Sequence, residues 1–377
     1  MDRLISLDGL RGVASLVVVF THIMLTSELF AGVALRGESG PPPYSLQWMI
    51  TYSPLHLFWD GTAAVAIFFV LSGLVLTLPV LRAGVRGFSW RVYYPKRLLR
   101  LYLPVWVAVL FGTVLATVVP RVADGSLGSW LSSRPDPSMV GILKDLALIG
   151  GPSDVISPLW TLQWEVLFSL LLPAYIAFVV VLPKWWIAKL LAVICIVGIG
   201  AVTGTESVVY MATFAIGCLF AKALRRIAAF VAVLRTWTWV ALAAAIATMM
   251  SLRWIVLAFD GSEFLLSLAR IFVIIGAAGA VLLAAFWPRA VRLLQSPVVT
   301  ALGLISFSLY LVHEPIVLAI CYLFGSQFSW FAAPVSIAAA FAFYKLVERP
   351  SHRLSVAVGK TVSRRITVRG ITADRTT

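Results

Sequence analysis

An arginine and a histidine share one face of the first apolar segment. Arg11 and His22 are 11 residues apart, and at roughly 100° per helical residue their side chains reach the same face, about 16 Å apart along the axis. Ionisable groups inside a hydrocarbon layer usually face a cavity, a partner or a substrate path. An imidazole can act there as a base, an acid or a nucleophile. The spacing predicts a catalytic pair; the alternative is an interfacial arginine and a histidine bonded to a neighbouring helix.

A pair of arginines precedes the third apolar segment. Arg97 and Arg100 are three residues apart, so they share a helix face. They close a stretch, residues 82–100, that holds six basic residues and no acidic one. Guanidinium groups on one face suit a phosphate, which each can bind in bidentate fashion. The competing interpretation is the positive charge that cytosolic loops ordinarily carry.

Two polar residues interrupt the second and fourth apolar segments. Ser72 lies in the inner half of the second segment, where a small side chain permits close helix approach. Glu165 lies about one and a half turns into the fourth segment, after Trp160. Its carboxylate either accepts a hydrogen bond from a hydroxyl substrate or pairs with Arg270, which is predicted at similar depth in the eighth segment.

A second histidine lies near the middle of the ninth segment. Ser306, Tyr310 and His313 are spaced i, i+4 and i+7, which aligns them on one helix face. His313 is predicted at the same depth as His22, and two histidines at mid-membrane are hard to explain as lipid-facing residues. Pro315 removes a helix hydrogen bond and predicts a kink nearby.

These residues belong to a chain with the composition of a membrane protein. Of its 377 residues 61% are hydrophobic and 12% charged, and the mean hydropathy is +0.97. Apolar runs of about 17–25 residues recur along the chain, which is the length of a membrane span. The sequence predicts an all-α, polytopic integral membrane protein with about ten transmembrane helices. The predicted spans are residues 10–30, 55–81, 101–119, 159–182, 186–202, 208–224, 237–259, 264–287, 299–324 and 330–347.

The charge distribution predicts the orientation. Most of the 30 Lys and Arg residues fall in alternate connections and in the C-terminal stretch, which is the positive-inside pattern. We expect both termini in the cytosol, a transmembrane domain over residues 1–350, and a basic cytosolic tail over residues 351–377 that anionic lipid attracts. The net charge of +14 then reflects topology rather than nucleic-acid binding, and no metal site is expected.

The longest outer connection covers residues 120–157. Inside it, residues 141–150 are mostly apolar and are expected either to lie on the membrane or to re-enter it. Long ordered loops often carry function. The absence of an internal repeat disfavours an inverted-repeat transporter.

Together these motifs resemble those of the acyltransferase 3 family of membrane acyltransferases. The matching stretches occur in the family's order over nearly the whole chain. They are residues 7–12 followed by His22, then residues 68–73, 97–100, 160–165, 306–315 and 348–350. The resemblance implies a ten-span fold and a functionally critical set of Arg11, His22, Arg97 and Arg100. We expect the host membrane to be a bacterial cytoplasmic (inner) membrane.

The resemblance also implies an activity. The protein would move an acyl group, with acetyl as the first expectation, from cytosolic acyl-CoA to a hydroxyl of a carbohydrate-containing acceptor at or across the membrane. No cofactor is expected to stay bound, and the expected partners are acyl-CoA, the acceptor and membrane lipid. Arg97, Arg100 and Ser72 would bind acyl-CoA. The residues expected to form or support the acceptor side are Glu165, Trp160, Tyr310, His313 and Ser306.

Several alternatives stay open at this point. His22 could act as a general base in direct transfer or carry the acyl group as an acyl-imidazole. The acceptor could be a polysaccharide, a lipid-linked sugar, peptidoglycan or a secondary metabolite. A transporter or flippase for a glycolipid or small anion would use the histidines as a proton path, whereas a non-catalytic scaffold would tolerate the loss of both.

Overall fold

The chain is almost entirely helical. A computed structural model describes residues 5–36, 40–121, 128–134, 136–151, 155–259 and 261–373, with side chains as far as residue 364. Within these residues the chain is 85% helical and contains no strand, and ten helices are long and apolar enough to cross a membrane. The predicted all-α fold with ten spans is confirmed. Parts of the predicted outer connection (residues 122–127, 135 and 152–154) and of the tail (residues 374–377) lie outside the described residues.

The α-helices follow one another with short connections. They are α1 Ile5–Met24, α2 Glu28–Ala31, α3 Leu46–Tyr52, α4 Gly61–Ala83, α5 Trp90–Val118, α6 Ser129–Ser132, α7 Met139–Ala147, α8 Leu159–Val180, α9 Trp186–Val202, α10 Glu206–Val231, α11 Thr236–Leu257, α12 Glu263–Phe286, α13 Pro288–Leu294, α14 Pro297–Phe324, α15 Ala332–Phe343 and α16 Arg349–Ala373. Segments Pro54–Phe58, Pro183–Trp185 and Ser326–Phe331 are 3₁₀-helical, and Gly32–Arg36 and Tyr344–Glu348 are π-helical.

Several helix ends differ from the predicted spans by five residues or more. The first helix covers Ile5–Met24 instead of residues 10–30, and α5 begins at Trp90 instead of residue 101. The tenth span is broken by the π-helical turn Tyr344–Glu348 and continues into α16. Hydropathy locates the part of a helix that suits a hydrocarbon core, but backbone hydrogen bonding continues into polar flanks. The spans were therefore easier to predict than their ends.

The predicted tail begins inside a helix. Residues 351–364 continue α16, which packs along α5. A Cβ atom on Gly359 would lie 3.5 Å from Val92 and 3.7 Å from Lys96. The start of the tail is thus attached to the helix that carries the arginine pair. Its cytosolic location and a domain boundary at residue 350 stay predictions.

The predicted apolar stretch of the outer connection forms α7. Tyr102 and Trp106 of α5 donate hydrogen bonds, each 3.0 Å long, to the carbonyl oxygens of Ala147 and Leu146. These bonds fasten α7 to the side of α5. Whether α7 lies on the membrane or re-enters it stays a prediction.

A glycine contact sets the register between α1 and α14. A Cβ atom on Gly12 would lie 2.4 Å from the backbone nitrogen of Gly303, and one on Gly303 would lie 2.3 Å from the carbonyl oxygen of Asp8. Small residues allow such close helix approach inside membranes. Ten residues beyond each glycine come His22 and His313. Because the two helices run in parallel from this contact, they bring the two histidines to the same level.

Candidate active site

The two predicted histidines are in direct contact. His313 Nε2 lies 3.1 Å from His22 Nδ1. His22 Nδ1 is also 3.0 Å from the carbonyl oxygen of Val18, and His313 Nδ1 is 2.9 Å from that of Leu309. A carbonyl oxygen only accepts, so each Nδ1 carries the proton when the rings are neutral. His313 Nε2 then accepts from His22, and the free lone pair of the dyad is on His22 Nε2, which no described residue hydrogen-bonds.

The outer side of His22 is covered by a chain of contacts from the long connection. The indole of Trp130 lies 5.6 Å from the His22 ring, and the guanidinium of Arg134 lies 4.5 Å above Trp130. Arg134 pairs at 3.0 Å with Glu314, which is fully buried and follows the second histidine in sequence. Ser157 donates two further hydrogen bonds to the Glu314 carboxylate, from its backbone nitrogen and, at 2.6 Å, from its hydroxyl. These partners supply a counter-ion and two hydrogen-bond donors, which offset the free-energy cost of burying the Glu314 carboxylate.

The short helix α6 holds Trp130 in this position. Its first residue, Ser129, donates its backbone N–H to the Glu28 carboxylate. Tyr322 of α14 donates its hydroxyl to the Leu131 carbonyl oxygen at 2.6 Å. A Cβ atom on Gly128 would lie 3.1 Å from a carbonyl oxygen in the turn after α1, so a glycine here lets the segment pass close to α1. Residues 128–134 of the outer connection thus form a wall beside His22.

On the other side of the dyad, Glu165 is paired with the first arginine of the pair. Arg97 Nη2 lies 2.5 Å from Glu165 Oε1, and Arg97 Nε donates to Ser169 Oγ at 3.1 Å. Ser72 Oγ donates to the same Glu165 oxygen at 3.2 Å. The predicted donor-side residues Arg97 and Ser72 therefore meet at one carboxylate.

This contact corrects one alternative for Glu165. Arg270 does not reach Glu165; it forms a bidentate ion pair with Glu206 at the start of α10. Trp160, expected near the acceptor, packs its ring 5.1 Å from Tyr210 of α10 and lines neither cavity described below. The position of Glu165 along its span therefore did not indicate which side chain it faces.

Two adjoining cavities run between the arginines and Tyr310. The inner one, about 80 Å³ in volume, is lined by Arg97 and Arg100. The outer one, about 40 Å³, reaches Thr161, Ser306 and Tyr310. The residues that line both are Arg11, Ser72, Glu165 and Phe307. A narrow passage with polar and apolar lining thus begins at the arginine pair, at the end of the bundle that the positive-inside pattern predicts to be cytosolic, and extends into the protein.

Two arginines on this passage, Arg11 and Arg100, form no direct ion pair within the described part of the chain. Arg100 is exposed and interacts electrostatically with Arg97 and Arg11 and with the carboxylates of Glu348 and Glu165. Glu348 itself accepts a hydrogen bond of 2.6 Å from Ser308, so it is held to α14. Three guanidinium groups, of Arg11, Arg97 and Arg100, thus face two carboxylates, of Glu165 and Glu348. The remaining positive charge attracts anions.

Tyr310 separates the passage from the histidines. Its hydroxyl lies 3.0 Å from the Pro158 carbonyl oxygen and 2.7 Å from Thr161 Oγ1. Its ring centroid is 6.1 Å from that of His313. Neither His22 nor His313 lines the two cavities. The passage therefore ends short of the dyad, and Tyr310 lines its outer cavity on the side of His313.

Sequence reasoning missed the outer partners of the dyad. Glu314 follows His313 directly, and an acidic residue at mid-span was a usable signal. Trp130 and Arg134 lie in a connection without periodicity, and nothing in their spacing indicates a contact with α14. Only the folded chain brings Arg134 to Glu314.

Comparison with known proteins identifies the family. A family model described as an acyltransferase domain (Acyl_transf_3) matches residues 4–345, nearly the whole chain. No curated protein and no solved structure shows a significant match. The chain belongs to this acyltransferase family, as the motifs predicted.

Proposed function

We propose that this membrane acyltransferase moves an acyl group, most simply acetyl, from cytosolic acyl-CoA to a hydroxyl of a carbohydrate-containing acceptor on the opposite side of a bacterial cytoplasmic membrane. The observation that carries the proposal is the polar passage from Arg97 and Arg100 to Tyr310, whose ring is 6.1 Å from the His313 ring. An anion site, a passage and a histidine dyad in this order suit a donor that is held at one face and reacts in the interior.

The donor side is built for phosphate. Arg100 and Arg11 have no ion-pair partner among the described residues, so they are free to bind the phosphates of CoA in charge-assisted hydrogen bonds. Arg97 is already held by Glu165 and contributes less net charge. From this site the pantetheine arm would follow the passage inward, over the ~15 Å of half a hydrocarbon core.

The donor must widen this passage. Cavities of about 80 and 40 Å³ are far smaller than the roughly 300 Å³ or more of ordinary small-molecule sites. Rotation of Tyr310 away from Thr161 would join the outer cavity to the dyad. In the proposal, donor binding supplies the free energy for this opening, which also keeps water from the thioester until the arm is in place.

The dyad performs general base catalysis in the direct route. His22 Nε2 takes the proton of the acceptor hydroxyl while that oxygen attacks the thioester carbonyl carbon. The tetrahedral intermediate then collapses, the carbon–sulfur bond breaks, and the imidazolium returns the proton to the departing thiolate of CoA. The products are the ester and CoA thiol, so no further reactant is needed. Glu314, compensated by Arg134, favours the transient positive charge on His22.

The relay route places the acyl group on His22. Nε2 attacks the thioester, CoA leaves, and the acceptor hydroxyl then attacks the acyl-imidazole. Incubation of purified protein with labelled acetyl-CoA and no acceptor separates the two routes. Hydroxylamine-sensitive label on wild type, absent from His22→Ala, supports the relay. No such label, with transfer intact, supports direct attack.

The activity itself is tested in vesicles. Membranes that contain the protein receive labelled acetyl-CoA on the cytosolic side, and label is measured in surface glycan and glycolipid. We expect transfer by wild type and by the control His352→Ala, which changes an exposed histidine of α16, and none by a folded His22→Ala variant. Full transfer by His22→Ala would overturn the catalytic assignment. Substrate flux without consumption of acyl-CoA would replace the proposal by transport.

A further inference from the structure

A second opening lies on the outer side of the dyad, away from the donor passage. We call it the outer groove. It has a volume of about 410 Å³ and is bounded by the end of α1, the turn and α2 that follow it, Gly128 before α6, and the 3₁₀ segment Ser326–Phe331. Its lining includes Ser27, Glu28, Phe30, Ser326, Gln327 and Trp330. The volume falls within the roughly 300–1,000 Å³ of small-molecule sites.

The lining chemistry is specific. Hydroxyl and amide groups alternate with two aromatic rings, and one carboxylate, Glu28, lies at the wall. Among the described residues no Lys or Arg lines the groove, so a phosphate or carboxylate would meet no cation there. An acyl chain would offer no hydrogen bond to the Ser326 hydroxyl or to the Gln327 amide oxygen, which is unfavourable.

A neutral, hydroxylated ring fits this lining. Its hydroxyls can exchange hydrogen bonds with Ser27, Ser326 and Gln327, and its apolar face can cover the indole of Trp330, which is 58% exposed. Aromatic rings with a polar surrounding favour such amphipathic partners. We propose that the outer groove binds an uncharged sugar residue of the acceptor and orients its hydroxyl toward His22. This inference rests on the proposed function.

Three relations, two along the chain and one in space, connect the outer groove with the dyad. Ile23, which lines it, directly follows His22. Phe20, two residues before His22, lies 6.4 Å from the Trp330 ring. Gly128, also in the lining, begins the segment whose Trp130 covers His22. A sugar in the groove therefore lies beside the segment whose Trp130 packs against His22.

The sugar can come from a lipid-linked glycan or from a released polysaccharide, and the same ring chemistry serves both. Acceptor is therefore prepared in two forms from cells that produce the protein, an organic-solvent extract and a water-soluble surface glycan. Purified protein in lipid nanodiscs receives labelled acetyl-CoA and increasing amounts of each form. The half-saturating amount of acceptor and the half-saturating amount of donor are measured separately.

Three variants decide the site. Trp330→Ala removes the flat ring, Trp330→Phe keeps one, and Gln327→Ala removes the amide at an exposed position. We expect Trp330→Ala to raise the half-saturating amount of acceptor on the order of tenfold. Trp330→Phe should bring this amount most of the way back to the wild-type value. The half-saturating amount of donor should stay unchanged in all three variants. Trp237→Ala, at another exposed indole (67%) that lines no described cavity, is the matched control and should behave like wild type.

The outcomes separate this proposal from the proposed function. If wild type labels neither acceptor form, the proposed function fails and the groove assignment falls with it. If wild type transfers acetyl but Trp330→Ala and Gln327→Ala both saturate like the Trp237→Ala control, the function stands and the groove assignment is overturned. Mass spectrometry of the labelled product gives an independent result, because acetyl found on an acidic or phosphorylated sugar would also overturn it.

Discussion

His22 and His313 lie 291 residues apart in sequence and 3.1 Å apart in space, with Nε2 of the second facing Nδ1 of the first. The contact assigns different tasks to the two rings. His313 is a positioning residue because its Nε2 accepts the Nδ1 proton of His22 and so leaves the lone pair on His22 Nε2. The tautomer of the reacting ring is therefore set by the Val18 carbonyl oxygen together with a side chain that need not touch substrate.

Replacing His313 should lower turnover without weakening donor binding. His313→Ala removes one of the two acceptors of His22 Nδ1–H, the other being the Val18 carbonyl oxygen, and we expect the rate constant kcat to fall by about tenfold to a hundredfold, part of the gain that general base catalysis provides. His313→Gln can still accept through its amide oxygen and should keep more activity. Steady-state kinetics and the pH profile of kcat check this. Equal loss in both variants, with a changed KM for acyl-CoA, would indicate a structural role instead.

The glycine contact should be as important as the dyad that it aligns. Gly12→Ala places a methyl group 2.4 Å from the Gly303 nitrogen, so α1 and α14 must separate or shift. A backbone nitrogen cannot move aside as the end of a side chain can. We therefore expect at least a tenfold loss of kcat together with a lower Tm. Gly198→Ala is the control, since its methyl group would meet only the Ile271 side chain. Wild-type kinetics in a folded Gly12→Ala variant would exclude register control.

Much of this arrangement could be predicted from the sequence, and the limits have a physical cause. Span length and the 11-residue spacing predicted that Arg11 and His22 face the same way, and both do face α14: Arg11 lines a cavity with Tyr310, and His22 bonds His313. The position of a residue in a span predicts its depth in the membrane but not which helix lies beside it. The sequence therefore could not show which residue pairs with Glu165. The contact of Arg134 with Glu314 depends on how an irregular connection folds back, which local pattern does not encode.

The two arginines of the pair should respond differently to substitution. Arg100 has no ion-pair partner among the described residues, so Arg100→Ala should raise the KM for acyl-CoA on the order of tenfold with little change in Tm. Its effect should shrink with 3′-dephospho-CoA thioester and at high salt, where phosphate contacts are screened. Unchanged KM and unchanged salt dependence would remove Arg100 from the donor site.

Arg97→Ala should act on stability as well. It leaves the Glu165 carboxylate without the guanidinium that lies 2.5 Å away, and an unpaired carboxylate in an apolar setting is costly. We expect a lower Tm for Arg97→Ala and partial recovery in the double variant Arg97→Ala/Glu165→Gln, because the neutral amide needs no counter-ion. A double variant no more stable than the single one would show that the pair contributes little to the fold.

A pH-dependent contribution to stability is expected at the outer end of α4. Asp60 caps that helix by accepting from the Ala63 N–H at 2.9 Å, and burial raises the pKa of its carboxyl to about 6. Since the folded state holds this proton more tightly than the unfolded chain, the contribution is greatest below pH 4 and is lost as pH rises through 6. Asp60→Asn keeps the cap without the charge, so it should raise Tm relative to wild type at pH 8 but not at pH 4. An equal difference at both pH values would contradict the assignment.

The outer wall should depend on the ion pair between Arg134 and Glu314. Glu314 is fully buried, and Arg134→Ala removes its only described cation within 4 Å. Removing one partner of a buried pair costs about 3–5 kcal/mol, so we expect a marked fall in Tm. We also expect faster hydrolysis of acetyl-CoA by water, because Trp130, which packs against His22, loses its contact with the Arg134 guanidinium. Adding Glu314→Gln should recover most of the Tm, since the amide can still bond Ser157, but should not restore the exclusion of water. If the single variant hydrolyses acetyl-CoA no faster than wild type while its Tm falls, the pair stabilises the fold without guarding the histidine.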